Sequence, residues 1–127
     1  MVSLGPPTDE GKMLFDVTLD ATLACGRALR TGAKASEAAA PVKQVGLAAG
    51  LNLGVWSGHG IGLDVIEPPS IVSDDDTVLE EGMAISVHPH VLNKDKNNGG
   101  HIGDVYIVRD GGGEPLSRMK HELHIID

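Results

Sequence analysis

A histidine stands among three glycines in Ser57-Gly58-His59-Gly60-Ile61-Gly62, and the chain runs on through Leu63-Asp64-Val65-Ile66 to Glu67-Pro68-Pro69. Glycine has no Cβ, so the backbone here can approach another group closely or adopt positive φ. His59 is therefore sterically free to meet a ligand or a metal. Pro68 and Pro69 stiffen the exit and push Glu67 toward an extended conformation. The stretch reads either as a shaped loop presenting His59 or as a tight turn with an incidental histidine, and spacing alone does not separate the two.

The remaining totals narrow the classes of function. A chain of 127 residues suits a single domain spanning 1–127 with a moderate core. Ten Lys and Arg against 18 Asp and Glu leave a formal charge of −8, a poor match for nucleic acid or an anionic membrane. Six histidines add positive charge below neutral pH. Phe15, Trp56 and Tyr106 are the only aromatics, so the core is aliphatic and alanine-rich, without a stacking platform for bases. No apolar run is long enough to span a bilayer, and the first residues lack the regions of a signal peptide. The single Cys25 excludes an internal disulfide and fits a reducing, cytoplasmic compartment. It falls in an expected helix, as a small buried core residue and not a nucleophile.

In chain order, residues 1–8 form a Gly/Pro-containing lead-in. Thr8 or Asp9 caps a helix over 9–29, with Leu14, Val17, Ala21, Ala24 and Ala28 on one face and Gly32 as its stop. A second helix begins at Ser36, or later near Pro41, which would otherwise kink it, and ends at Gly50 and Asn52. Asp74-Asp75-Asp76 lacks the spacing of a calcium loop and reads as a solvated turn. Met83, Ile85 and Val87 alternate with Ala84, Ser86 and His88, a strand whose small, polar face reads as the wall of a site. Pro89 interrupts it, and His90 follows on the parity of His88. Lys94–Gly100 is a polar, mobile loop, residues 101–108 a second strand, Leu116 begins a last short element, and the polar tail Lys120–His124 frays. Two N-terminal helices followed by short antiparallel strands make an α+β domain.

Three stretches taken together resemble a known family. Gly58-His59-Gly60-Ile61-Gly62 leading to Glu67-Pro68-Pro69, then Leu79–Pro89, then His101-Ile102-Gly103-Asp104-Val105-Tyr106-Ile107-Val108 are similar in order and spacing to the pita-bread family. That family comprises prolidase, aminopeptidase P, methionine aminopeptidase and creatinase. The resemblance covers residues 8–118 and implies the C-terminal half of a pita-bread catalytic domain. It also implies that His59 is a metal ligand. The substrate-facing histidine of the family falls on Ile66, one metal-binding glutamate on His88, and another on Gly103, beside a retained Asp104. Two further aspartate ligands would lie upstream of the first helix. The site is thus degenerate, because a two-metal hydrolase uses carboxylates to hold both ions and a bridging water.

The resemblance implies a hydrolase of a C–N bond in a Xaa-Pro or other dipeptide, or in a small amide or amidino compound, incomplete on its own. The candidate catalytic residues are His59 and His88, with Glu67 or Asp104 orienting an imidazole. Gly60 and Ile66 are candidates for substrate contact, and His59 and His88 for metal. The cofactor is either a divalent transition metal (zinc, manganese, iron or cobalt) or none. Two alternatives stay open. One is a mononuclear site in which His88 and His90 are joined by His59 or His101; neutral imidazoles there would favour zinc, iron or nickel over magnesium. Against it stands the reading that His90 and His101 merely flank a solvent loop. The other is a non-catalytic binding module. The expected partners are a small molecule or dipeptide, and a second copy or a missing N-terminal half, with neither nucleic acid nor membrane.

Overall fold

The computed structural model describes residues 1–126. Helix α1 spans Asp9–Ala28. Thr8 caps it: its hydroxyl oxygen accepts the Gly11 N–H at 3.0 Å, and Asp9 and Glu10 stand at the positive end of the helix dipole. The expected stripe is buried at Leu14, Ala21 and Ala24, joined by Thr18, Thr22 and Cys25. Two buried threonines are tolerable because each hydroxyl donates to a carbonyl one turn back, Thr18 to Leu14 at 2.6 Å and Thr22 to Thr18 at 2.9 Å. Burial pushes the Cys25 thiol up to about 12, as suits an inert core residue.

Helix α2, Ala35–Ala48, begins one residue before the expected Ser36 and runs through Pro41. Proline removes one hydrogen bond at a cost of about 3 kcal/mol. Ala38, Ala39 and Val42 are buried around it in the common core, and that packing outweighs the local penalty. Gly50, at φ +66°, follows the helix end. The acidic run has a structural task. Asp75 accepts the Ser70 and Thr77 N–H groups at 2.8 and 2.9 Å, and Asp76 pairs with Lys34 at 3.0 Å, tying the turn to the start of α2.

Among the described residues the strands form three sheets. The largest has the order β4 (Glu67–Ser70), β3 (Gly58–Gly60), β5 (Ala84–Val87), β8 (Asp104–Ile107), β9 (Glu114–Pro115), with every neighbouring pair antiparallel. A second joins β2 (Asn52–Leu53), β6 (His90–Leu92) and β7 (Gly99–His101). The third pairs β1 (Val2–Leu4) with β10 (His124–Ile126) in parallel. The α+β reading with short antiparallel strands after the helices holds. Ile85 and Val87 are fully buried, as the alternation in β5 required.

Four local expectations are corrected. Gly58–Gly60 is neither loop nor turn but a wholly buried strand. A Cβ on Gly58 would collide with the Ser86 carbonyl, and one on Gly60 with the Pro68 carbonyl, so only glycine lets β3 lie this close to both neighbours. Residues 101–108 do not form one strand: β7 and β8 belong to different sheets, parted at Ile102-Gly103. The 94–100 loop is organised around Asn93, whose amide donates to Glu10 at 3.0 Å and to Asn97 at 2.7 Å. Its last two residues are in β7. The lead-in and the tail, finally, are held by pairing with each other as β1 and β10. Among the described residues, no helix is long and apolar enough to cross a membrane.

The core lies between the helices and the large sheet, with Leu14, Ala21, Cys25, Ala38 and Val42 against Ile85, Val87, Tyr106 and Val108. Helix α1 also lies directly on β7. A Cβ on buried Gly100 would meet the Thr18 hydroxyl and, at 2.8 Å, the Leu14 carbonyl. Gly100→Ala is therefore expected to destabilise the fold by about 1–3 kcal/mol, measured as a lower urea midpoint with an unchanged m-value.

Candidate active site

His59 sits on β3 opposite Ser86 of β5, and Ser86 in turn faces Val105 of β8. Directly paired residues share a sheet face. The imidazole of His59 is thus held on the small, polar face expected to form a wall. It is buried, at 7% exposure. Its Nδ1 lies 2.8 Å from the Gly60 carbonyl. A carbonyl only accepts, so Nδ1 carries the proton and donates it, leaving the Nε2 lone pair free in the neutral ring. The indole of Trp56 stands 6.2 Å away, centroid to centroid.

His88 continues the same wall beyond β5. Its ring meets that of His59 edge-on, with centroids 4.9 Å apart. Its backbone N–H donates to the Ser57 carbonyl at 2.9 Å, and the buried Pro89 follows it. His88 Nδ1 is buried and has no hydrogen-bond partner among the described residues. His90 and His101 do not merely flank a loop. They are directly opposed across β6 and β7, with ring centroids 4.4 Å apart, and both lie close to His88, at 5.9 and 5.7 Å. One donor atom from each of His88, His90 and His101 falls within 4.8 Å of the others. The four imidazoles form one contiguous row along the junction of two sheets.

Burial lowers the pKa of His88, helped by the like charges that His59 and His90 would carry. Burial likewise lowers that of His101, with His90 and His88 adding to it. Crowding thus favours neutral rings, the form that accepts a proton or a metal.

The carboxylates do not orient these rings. Glu67 Oε1 accepts the Asp64 N–H at 2.8 Å and braces its own loop. Asp104 is buried and its Oδ2 lies 3.1 Å from His121 Nε2, a contact the sequence did not reveal because His121 stands in the polar tail. The carbonyl of Gly60 is engaged by His59. Ile66 is 55% exposed, with Leu63 and Val65 of the same loop also exposed. Gly103 stands beside His88, where an added Cβ would lie 3.9 Å from the Cβ of His88.

Comparison with known proteins fits this architecture. Residues 1–110 match the family model of metallopeptidase family M24. The chain is 33% identical over 126 residues to a probable dipeptidase PepE of Mycobacterium tuberculosis, covering 98% of this chain and 33% of that protein. It is 32% identical over 127 residues to a Xaa-Pro dipeptidase of Lactobacillus delbrueckii subsp. lactis, covering 98% and 34%. Among solved structures, a Xaa-Pro dipeptidase from Bacillus anthracis superposes with a TM-score of 0.90 at 33% identity, over 98% of this chain and 36% of that one. An X-Pro aminopeptidase from Thermotoga maritima does so at 0.90 and 25% identity, over 98% and 35%. The chain belongs to metallopeptidase family M24 and has its pita-bread fold. It spans about a third of the length of the curated relatives it matches.

The residues at the positions that the resemblance assigns to metal ligands do not suit a carboxylate-held pair of metals. On that assignment His59 is retained, while His88 would offer one neutral nitrogen in place of a charged, bridging carboxylate and Gly103 has no side-chain donor.

The lowered His88 and His101 values also make a stability prediction. A folded-state pKa below the ordinary 6.5 means that the unfolded chain binds protons first as pH falls. Stability is then full above 6.5 and declines as pH drops through that value toward the lowered ones. Melting temperature is expected to fall across this window, with a shallower slope in a His88→Gln/His101→Gln double variant. A slope unchanged in that variant would show that other groups carry it.

Proposed function

We propose that these residues supply the histidine wall of a hydrolase site that cleaves a C–N bond in a dipeptide, a Xaa-Pro dipeptide foremost, or in a small amide or amidino compound. Membership of a peptidase family, with relatives named as dipeptidases, supports the substrate class. The observation that carries the chemistry is the His59–Gly60 contact. It fixes the tautomer and leaves Nε2 as a general base aimed away from its own backbone. His59 takes a proton from the attacking water and returns it to the departing nitrogen. His88, 4.9 Å from it, is the second imidazole facing the substrate. Ser86 shares that face and is small enough to leave room there. No step in this scheme needs a carboxylate-bound pair of metals.

The test is a panel of Xaa-Pro, Xaa-Ala and amidino substrates offered to the protein and its His59→Ala variant. Turnover of at least one class is expected, falling about 100-fold or more in the variant while the melting temperature of the fold is kept, as the removal of a general base requires. Turnover indifferent to His59, or none on the whole panel, would leave the non-catalytic binding module as the better reading.

A further inference from the structure

His90 and His101 have no part in that scheme, and neither stands at a position the family resemblance assigns to a ligand. We propose that His88, His90 and His101 together bind one divalent transition-metal ion of the zinc type, at the seam between the five-stranded and three-stranded sheets.

The placement comes from the backbone. The β6–β7 register sets His90 directly against His101, and the Ser57 carbonyl anchors His88 at the adjoining strand end. The three donor atoms already lie within 4.8 Å of one another. A tetrahedral ion with bonds of about 2.0–2.1 Å holds its nitrogens about 3.3 Å apart. His90 and His101 are exposed, so rotation of their rings closes the gap without disturbing the core. A second observation points the same way. His88 Nδ1 is buried without a partner among the described residues, and such atoms are rare unless an ion or water satisfies them.

The donor set selects the ion. Three neutral imidazoles suit zinc, iron(II), cobalt(II) and nickel(II), whereas magnesium and calcium demand oxygen. Three protein ligands also leave a fourth position open, as in sites that bind water or substrate. The ring of His59 next to His88 adjoins that site without being needed to build it. Metal binding thus stands without the hydrolase reading, and the two fail separately.

The test is titration of chelator-stripped protein at neutral pH with zinc(II) by calorimetry and with cobalt(II) by visible absorption. One ion per chain is expected, with the intense visible band of four-coordinate cobalt, and magnesium should not compete. His90→Ala and His101→Ala should each weaken zinc binding by at least about 100-fold, since loss of a mere outer partner already costs about 10–100-fold. Both residues are exposed, so these variants keep the fold, which their melting temperatures verify. His59→Ala and His124→Ala should bind zinc as the parent does. Substoichiometric binding, or affinity unaltered in His90→Ala and His101→Ala, overturns the proposal. So does a large loss in His59→Ala without one in His90→Ala and His101→Ala, which would place the ion on His59 and His88 instead.

Discussion

The close approach of β3 to the strands on either side governs the rest of the site. At Gly58 and Gly60 the neighbouring carbonyls occupy the space a side chain would need. Glycine on both sides of His59 therefore has a steric cause, and it permits His59 itself to be the strand's one side chain. That side chain lies on a buried sheet face with its Nδ1 proton given to the next carbonyl. A histidine fixed in this way has one nitrogen committed and one free. The general-base role proposed for His59 follows from that division.

Around His59 the structure gathers imidazoles, one of them at a position the family resemblance assigns to a carboxylate ligand. His88 falls where a glutamate is expected and Gly103 where another is expected. The change is more than the loss of two charges, because His90 and His101 meet His88 from the adjoining sheet. A cluster of neutral nitrogen donors in place of anionic ones suits borderline ions better than hard, oxygen-bound ones, which is the basis of the metal site proposed above. The acidic side chains nearby are engaged elsewhere, Glu67 in its own loop and Asp104 with His121.

Much of the scaffold was legible in local patterns. The stripe on α1, its Thr8 cap and the alternation at Ile85 and Val87 arise from contacts within a few residues, and these the sequence expresses directly. Pro41 was misleading because a local penalty was weighed without the burial of Ala38, Ala39 and Val42 in the core. The pairing of β1 with β10 had no local sign at all, since its partners lie at opposite ends of the chain. The loop after Asn93 looked featureless because one buried amide organises it, reaching back to Glu10 on the first helix.

By itself the sequence determined that His59 is presented by glycines, that His88 continues the polar face of the strand before it, and that the ordered motifs resemble a peptidase family. Those are matters of residue type, short spacing and order. Only the tertiary structure decided that the glycine-rich stretch is an inner strand and that His101 stands opposite His90. It also took the tertiary structure to show Glu67 and Asp104 turned to other partners. Strand register and side-chain partnership depend on which distant backbones meet, and a one-residue slip between β6 and β7 would have sent His90 and His101 to opposite faces.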